Sequence, residues 1–403
     1  MRSESFGTPA GVAPSGRLVV LGNPGSPRVK LVEAAAARQG LPAPTVVAWG
    51  DWIAGRASLA GVIRAGDLVR IESPGKDFEV ERAILAAGAE RADDDVRFAR
   101  ASAREVAALA FDKGRILWPR QWYLGFAALL GRLGGELAAG APHVAMNDAG
   151  DVAVMFDKPA CHARLAGLGV PQPRGLGVVH SYDELIATMA RAGAARVFVK
   201  LAHGSSASGV VAYQTNGRRH KAVTTVETAA GPDGARLYNT RRARTLTDAG
   251  EIARLIDALC AHRVHVERWL PKAGLLGRTF DLRVVVIGGR ARHAVARLSR
   301  TPMTNLHLLN DRADADLVRR HVGEPAWAAA MASCERAVGR GFARSLYAGV
   351  DLMFTADLRR HAVIEANAFG DQIPGVLHDG AETYDAEIAH CLGGGVRAAE
   401  AIR

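Results

Sequence analysis

Cysteine is scarce in this 403-residue chain, and long apolar runs are missing. The four cysteines, Cys161, Cys260, Cys334 and Cys391, lie far apart and form no CxxC pair, so we expect neither a disulfide framework nor a thiolate zinc site. No segment approaches the ~20 apolar residues that span a bilayer, and the first apolar run, at 18–21, is too short for a signal-peptide core. These absences predict a cytoplasmic protein without a membrane partner.

Lysine is also scarce, with 7 Lys against 44 Arg in a chain of formal charge +10. A basic balance permits nucleic acid, lipid or an anionic small molecule as partner, and does not choose among them. Aromatic residues make up only 6% of the chain and do not alternate with basic ones, so we do not expect nucleic-acid binding. Because Arg is the usual cation here, a Lys inside a motif indicates a chemical requirement for lysine.

The composition is that of a folded protein, with 49% hydrophobic and 23% charged residues. An apolar run at 18–21 predicts a buried strand, and Ser26 as N-cap with Pro27 at the first helical position predicts that a helix follows. A second strand at 45–48 completes a βαβ unit with a parallel sheet. The loop is not GxGxxG, so dinucleotide binding is not expected. A linker with Pro, Asn and Gly at 141–151 predicts a domain boundary.

Two lysines stand where a phosphate clamp would need them. Lys158 opens a helix that is predicted to end near 168, and Lys200 ends a predicted strand at 196–200. The residues at 202–209 that follow Lys200 are mostly Gly, Ser and Ala, which lets backbone N–H groups approach phosphate oxygens while lysine supplies a compact charge. An ordinary surface hairpin is the alternative for such a loop.

A pair of glycines between two apolar runs predicts a β-hairpin over 279–299. The period-two alternation of strands places Asp281 and Arg283 on one face, and Arg297 lies on the returning strand. A solvated sheet face is the alternative for these charges.

A second predicted hairpin carries oxygen-bearing side chains and follows an amphipathic helix at 325–347. Glu365 and Asn367 are two residues apart on one strand, and antiparallel pairing can set Asp351 opposite them. Mg²⁺ binds through a few carboxylates and completes its shell with water and substrate phosphates. Three such groups facing an apolar core would be costly without a partner, so either a metal or a basic group must satisfy them.

These motifs, in this order over about 150–375, resemble those of the ATP-grasp superfamily. The resemblance rests on Lys158 in Phe-Asp-Lys, Lys200 with its small-residue loop, Glu267 before a Pro-containing linker, Asp281-Leu-Arg283, and Gly-Val-Asp351 followed by Glu365-Ala-Asn367. It implies an α/β protein in which a Rossmann-like βαβ domain precedes a two-subdomain α+β ATP-grasp module. The expected divisions are a disordered tail at 1–15, an N-terminal domain at 16–145, a lid subdomain at 152–270 and a C-terminal subdomain at 271–403.

The resemblance also implies ATP and Mg²⁺ as cofactors and gives each motif a role. The lysines would hold the phosphates, the linker would bind adenine, and Asp281 would lie near the ribose. The residues implied to bind ATP are Lys158, Lys200, His203, Gly204, Ser205, Ser206, Gly209, Glu267, Arg268, Trp269, Leu270 and Asp281. The implied Mg²⁺ ligands are Asp351, Glu365 and Asn367, and the implied catalytic residues are Arg283 and Arg297, which would stabilise the transferred phosphoryl group.

The chain departs from the peptide-forming glutamate ligases, which it otherwise resembles, on the acceptor side. Those ligases commonly carry an arginine just after Asn-Leu-His, whereas here His307 is followed by Leu308. His307, Arg300 and Arg312 are the candidates to replace that arginine. The segment at 369–375 resembles the loop that shapes the substrate pocket in such enzymes.

The implied activity is that of a C–N forming ligase, which activates a carboxylate as an acyl phosphate and joins it to an amine or similar nucleophile. Its partners would be small-molecule or peptide carboxylates and amines. A small-molecule kinase built on the same clamp and an ATP-binding regulator without turnover are the alternatives. The carboxylate, the acceptor and the oligomeric state stay open.

Overall fold

The structure, a computed structural model, describes residues 13–91, 97–205, 207–231, 234–369 and 373–393. Within these ranges the chain forms one parallel and two antiparallel sheets, with helices packed against them. The predicted α/β class, with a parallel sheet first, is confirmed. Most of the predicted tail, Ser206, and residues 370–372 of the predicted pocket loop lie outside the described residues.

The N-terminal part contains the parallel sheet. Its elements are β1 (Leu18–Gly22), α1 (Pro27–Arg38), β2 (Thr45–Ala48), α2 (Trp49–Ile53), β3 (Leu68–Ile71), α3 (Phe78–Ala89), α4 (Ala103–Ala107), α5 (Pro119–Ala139), β4 (Val144–Ala145) and α6 (Ala149–Met155). The strand order is β2-β1-β3-β4. Ser26 caps α1 by accepting a hydrogen bond from the Val29 N–H, and Pro27 takes the first helical position, as the sequence predicted.

A six-stranded antiparallel sheet follows, which we call the lid sheet. This part contains α7 (Lys158–Gly167), β5 (Gly175–Gly177), α8 (Tyr182–Arg191), β6 (Arg196–Leu201), β7 (Val210–Thr215), β8 (His220–Gly231), β9 (Gly234–Leu246), α9 (Ala249–Cys260) and β10 (Val264–Arg268). The strand order is β5-β10-β6-β7-β8-β9. Val197 and Val199 pack with residues of α8 and α9 on one face. Because side chains alternate along a strand, Phe198 and Lys200 point to the other face.

The third sheet, which we call the C-terminal sheet, is also antiparallel. Its part of the chain contains β11 (Gly274–Leu275), β12 (Arg278–Ile287), β13 (Arg290–Ser299), a 3₁₀ turn (Leu306–Leu308), β14 (Asp311–Asp314), α10 (Ala315–Val322), α11 (Glu324–Gly341), β15 (Tyr347–Phe354), β16 (His361–Asn367) and α12 (Thr383–Cys391). The main strand order is β14-β13-β12-β15-β16. Gly288 and Gly289 join β12 to β13 with φ of 57° and 73°, conformations that glycine adopts at little cost. Helix α11 ends at Gly341, before the predicted 347, because Phe342 leaves the helix with its side chain fully buried.

Two segments pack outside the subdomain that the sequence suggested for them. Helix α7 contributes Cys161 and Leu165 to the same core as Val363 of β16, in the C-terminal sheet. In the N-terminal part, the Ile116 N–H donates to the Leu237 carbonyl of β9 at 2.8 Å. The boundaries at 145, 152 and 270 therefore stay predictions.

All four cysteines are free, and Cys161, Cys260 and Cys334 are buried. No helix in the described part of the chain is long and apolar enough to cross a bilayer.

Two glycines allow α3 and α5 to cross at close range. A Cβ placed on Gly125 of α5 would lie 2.0 Å from the Ile84 carbonyl oxygen, and one on Gly88 of α3 would lie 2.0 Å from the Gln121 carbonyl oxygen. Both obstacles are backbone atoms, which cannot turn aside as a flexible side chain does. The crossing therefore requires residues without side chains at both positions.

We expect Gly125→Ala to lower the free energy of unfolding by about 2 kcal/mol or more, because the added methyl group forces the two helices apart. Gly131→Ala is the matched control in the same helix, since a Cβ there meets no atom within 4 Å. Replacing that glycine should stabilise the protein by roughly 0.5–1 kcal/mol through helix propensity. Urea unfolding followed by circular dichroism measures both variants, and equal stabilities would contradict the close crossing.

Candidate functional site

Charged side chains from α7, the lid sheet and the C-terminal sheet meet in one cleft. Lys158, the first residue of α7, donates from Nζ to the Gly204 carbonyl oxygen at 2.6 Å. The same Nζ lies 3.5 Å from Oε2 of Glu365 on β16. One lysine thus links the small-residue loop after β6 to the candidate metal strand.

Lys200 and Glu267 form a buried ion pair on the lid sheet. In the β6–β10 ladder, Lys200 is opposite His265, and Glu267 lies two residues further along on the same face. Lys200 Nζ donates to Glu267 Oε2 at 2.6 Å. Burial by itself raises the pKa of Glu267, but the charge and hydrogen bond of Lys200, together with the neighbouring imidazoles of His265 and His162, outweigh it and leave that pKa below its usual value. Glu267 is therefore ionised, and both side chains face the cleft.

Asp281 on β12 has a full set of protein partners. Arg297 donates from Nε to its Oδ1 at 2.7 Å, Lys272 donates from Nζ to its Oδ2 at 2.9 Å, and the Thr304 hydroxyl also donates to Oδ2. Burial raises the pKa of Asp281, and the charges of Arg297 and Lys272 reverse this, so the net shift is downward. These contacts link Asp281 to β13 and to residues 272 and 304, and the ribose contact that the resemblance implied stays a prediction.

Asp351 on β15 is held by both arginines that the sequence pointed to. Arg283 donates from Nε to Oδ1 at 2.6 Å, and Arg297 Nη2 lies 3.1 Å from Oδ2. Burial by itself raises the pKa of Asp351, but the combined effect of the two guanidinium groups is larger, so the net shift is downward. Among the described residues, Arg283, Arg297 and Lys272 form ion pairs with Asp351 and Asp281 alone, so this buried group of five carries one excess positive charge. An anion in the cleft would be attracted to it.

The candidate metal ligands lie on one face of the C-terminal sheet. Asp351 is directly opposite Glu365, and Asn367 is opposite Gly349 in the β15–β16 ladder. The Asn367 amide donates from Nδ2 to the Gly349 carbonyl oxygen at 3.4 Å, so Oδ1 is the atom of this amide that could serve as a metal ligand. Hard oxygen donors of this kind suit Mg²⁺.

A magnesium ion here would depend mainly on Glu365 and Asn367, because both oxygens of Asp351 already accept from arginines. The Glu365 side chain is 25% exposed and has only the 3.5 Å contact with Lys158 as an ion pair. Among the described residues, no group of three or more His, Cys, Asp or Glu side chains is placed to hold a metal. Beside Glu365, the protein ligands of a magnesium ion would thus be the amide of Asn367 or the carboxylate of Asp351, which the ion would share with the arginines.

The loop at 202–209, which we call the phosphate loop, depends on glycine at two of its described positions. Gly209 has φ of +66°, and a Cβ there would lie 2.3 Å from Cγ of Leu201. A Cβ on Gly204 would lie 2.8 Å from the Ser208 carbonyl oxygen. Ser205 is exposed at the tip. Any other residue at Gly209 would strain the backbone and collide with β6.

His203, also assigned to the nucleotide by resemblance, lies at the buried base of the phosphate loop. Its ring stacks on Tyr123 with centroids 4.1 Å apart and planes 8° from parallel. Nδ1 lies 3.2 Å from the Phe156 carbonyl oxygen, and Nε2 lies 3.4 Å from Arg120 and 3.3 Å from Arg263. Burial, aided by these arginines, lowers the pKa of His203 well below its usual value, so the ring is neutral. These contacts anchor the base of the loop, and the contact of His203 with ATP stays a prediction.

The predicted adenine linker begins at the end of β10. The Trp269 ring packs on Phe198 at 5.4 Å between centroids, and the Arg268 side chain is exposed. Leu270 is half-buried beside them. On the same face of the lid sheet, an apolar cluster joins Met303 and Leu308 to the lid. The apolar wall next to the ion pair is therefore continuous with the loop before β14.

Of the three candidates for the missing acceptor-side arginine, Arg312 is the one next to Arg297. The two are directly opposite in the β13–β14 ladder. Arg312 also donates from Nη1 to the Pro374 carbonyl oxygen at 3.2 Å. His307 and Arg300 are exposed. The roles of all three remain predictions.

Sequence reasoning missed Lys272, Thr304 and His265. Lys272 could have been identified from the sequence, because it is one of only 7 lysines in an arginine-rich chain and lies between Glu267 and Asp281. The hydroxyl of Thr304 and the imidazole of His265 carried no comparable signal, since their positions depend on how distant strands pair.

We expect Lys272→Met to lower the free energy of unfolding by about 3 kcal/mol, because buried Asp281 loses one of its two charged partners. Lys221→Met makes the same change at an exposed position and should stay within about 0.5 kcal/mol of wild type. Denaturant titration at pH 7 compares the two. A similar small effect for both variants would show that Lys272 does not support Asp281.

No protein-family model matches the chain, and no curated protein matches it. Solved structures do share its fold. D-cycloserine synthetase DcsG is 17% identical, with 94% of this chain and 100% of that chain covered and a TM-score of 0.52. The ADP complex of N5-carboxyaminoimidazole ribonucleotide synthetase is 11% identical, with 96% of this chain and 80% of that chain covered and a TM-score of 0.52.

Both of these proteins are ATP-grasp ligases. At such low identities the likeness concerns the fold alone, and it extends over nearly the whole chain, including the parallel sheet that precedes the cleft. The chain therefore has the ATP-grasp fold, as the order of its motifs predicted.

Proposed function

We propose that this protein is an ATP- and Mg²⁺-dependent ligase that activates a carboxylate as an acyl phosphate and joins it to an amine or similar nucleophile. The observation that carries the proposal is the cleft itself. It combines two lysines beside a glycine-dependent loop with a buried group of one excess positive charge, across from oxygen donors suited to Mg²⁺. The ATP-grasp fold supports the same reading.

Each residue of the cleft has a proposed role that follows from its position. Lys158 and Lys200 would hold ATP phosphates, and the phosphate loop would cover them. Glu365 and Asn367, with Asp351, would hold Mg²⁺, which supplies charge neutralisation at the phosphates. Arg283 and Arg297 are already fixed by Asp351, so they need no reorganisation to face a negative transition state.

The chemistry needs no side-chain nucleophile. An oxygen of the substrate carboxylate attacks the γ-phosphorus, and the bond to the oxygen of ADP breaks. The amine then attacks the carbonyl carbon of the acyl phosphate, loses a proton and expels phosphate, which leaves an amide. The protein contributes positioning, charge and exclusion of water.

We further propose that the substrates are small-molecule or peptide carboxylates and amines, without nucleic acid or a membrane as partner. The buried excess positive charge supports an anionic substrate. We place the protein in the cytoplasm, which its four free thiols support.

The activity is tested with ATP, Mg²⁺ and mixed libraries of carboxylates and amines, with phosphate release and mass spectrometry as readouts. ADP, free phosphate and an amide in equal amounts would support the ligase. A phosphorylated acceptor without free phosphate would indicate a kinase instead. ATP binding without any product across the libraries would favour a regulatory protein.

We expect ATP with Mg²⁺ to raise the melting temperature, because a ligand that binds only the folded state stabilises it by about 2.7 kcal/mol at 100 times its Kd. Lys200→Met should reduce this shift by removing a charged phosphate contact. Thermal shift with and without Mg²⁺ measures the effect. Correctly folded wild-type protein that shows no shift would contradict the nucleotide site.

We expect Glu365→Gln to spare the fold and most of the ATP affinity but to lower turnover by about 100-fold or more, because the metal would lose a charged ligand in the transition state. Glu324→Gln makes the same change at a surface ion pair with Arg319 and should leave turnover unchanged. Steady-state kinetics on an identified substrate compares them. Wild-type turnover in Glu365→Gln would remove the metal site from the proposal.

A further inference from the structure

His265 is a buried imidazole that faces the cleft without a hydrogen bond. It is 3% exposed, and neither ring nitrogen has a hydrogen-bond partner among the described residues. It lies opposite Lys200, its Nε2 is 3.5 Å from Oε1 of Glu267, and its ring centroid is 5.4 Å from that of His162. Burial lowers the pKa of His265 to about 4, so at neutral pH the ring has one N–H donor and one acceptor.

A buried polar group without a partner is unfavourable, and strand alternation would accept an apolar residue at this position. The imidazole therefore needs an explanation other than packing. Glu267 supplies one, since Nε2 of His265 lies 3.5 Å from its second carboxylate oxygen, Oε1.

The negative charge of Glu267 is stabilised by its ion pair with Lys200. Lys200 Nζ makes the one hydrogen bond that the Glu267 carboxylate accepts among the described residues. In the proposed function, Lys200 turns towards the ATP phosphates. A buried carboxylate that loses its only cation is strongly destabilised unless another donor replaces it.

We infer that His265 is a positioning residue: its Nε2–H takes over Oε1 of Glu267 when Lys200 turns to the nucleotide, so that the other oxygen can accept a hydrogen bond from the 6-amino group of adenine. The inference rests on the proposed function. The two atoms are 3.5 Å apart, so a shift of less than about 1 Å brings them to hydrogen-bond distance. Glu267 also borders a cavity of about 10 Å³, which leaves room for such a shift.

His265 is thus expected to affect recognition of the base, and not of the ribose or the phosphates. A purine without the 6-amino group has no hydrogen to donate to Glu267, so it gains nothing from a well-placed carboxylate. Purine riboside triphosphate is such a nucleotide, and it keeps the ribose and phosphates of ATP. Comparing the two nucleotides isolates the contact that His265 is inferred to position.

The test measures the Kd of ATP and of purine riboside triphosphate by calorimetry, with Mg²⁺, for wild type, His265→Val and His265→Gln. We expect His265→Val to weaken ATP about 10-fold or more and purine riboside triphosphate less than about 3-fold, since a hydrogen bond to a charged group is lost. His265→Gln keeps an N–H donor and should recover ATP affinity to within about 3-fold of wild type.

The melting temperature without nucleotide separates positioning from a structural role. His265→Val should melt no lower than wild type, because the free protein has no hydrogen bond at this ring to lose. His293→Val is the matched control at another buried histidine, whose Nε2 lies 2.9 Å from the Ala381 carbonyl oxygen. This control should melt lower and keep its ATP affinity.

Unchanged ATP affinity in His265→Val, equal losses for both nucleotides, or a lower melting temperature without nucleotide would each overturn the inference alone. Wild-type protein that binds neither nucleotide would overturn the proposed function, and the inference with it.

Discussion

Arg297 is the side chain on which the rest of the cleft depends. It bridges Asp281 and Asp351, and through them it joins β12, β13 and β15. Two carboxylates buried this close repel each other, and a guanidinium group with fixed, planar donors can satisfy both at once. Burial by itself lowers the pKa of Arg297, but the combined effect of the two carboxylates is larger. The net shift is upward, so the guanidinium group stays charged. The positions of Arg283, Lys272 and the Thr304 loop all follow from this arrangement.

Local signals in the sequence predicted several of the elements, among them β1, α1, β2, α7, β6 and the two hairpins of the C-terminal sheet. Ser26 and Pro27 define the start of α1 because capping and proline geometry act within one turn. Gly288 and Gly289 define the β12–β13 hairpin because both need a positive φ. The β8–β9 hairpin was missed although the sequence has the turn signal Asp-Gly at 233–234, because a register shift between Thr224 and Val226 interrupts the alternation along its strands.

The motifs identified the strands that line the cleft but not which partner each side chain chooses. His203 sits in a loop that suits phosphate, yet Tyr123, some 80 residues earlier, supplies its stacking surface. Asp281 was expected near a ribose, yet Lys272 and Arg297 surround it. Such choices depend on distances between elements that are remote in sequence, and alternation along one strand carries no information on them. Residue type and order therefore indicated which strands meet in the cleft, but not the contacts that each side chain makes there.

The backbone hydrogen bonds between residues 114–116 and β9 restrict how the lid sheet can move. The chain leaves the lid sheet at β10, beside β5, whereas these bonds hold the opposite edge. A rotation of the lid sheet about its β5–β10 edge would therefore either break the hydrogen bonds between residues 114–116 and β9 or carry residues 114–116 along with the sheet. The Ala99 N–H also donates to the Ala261 carbonyl oxygen after α9 at 2.6 Å, so this part of the N-terminal chain is joined to the lid at more than one point.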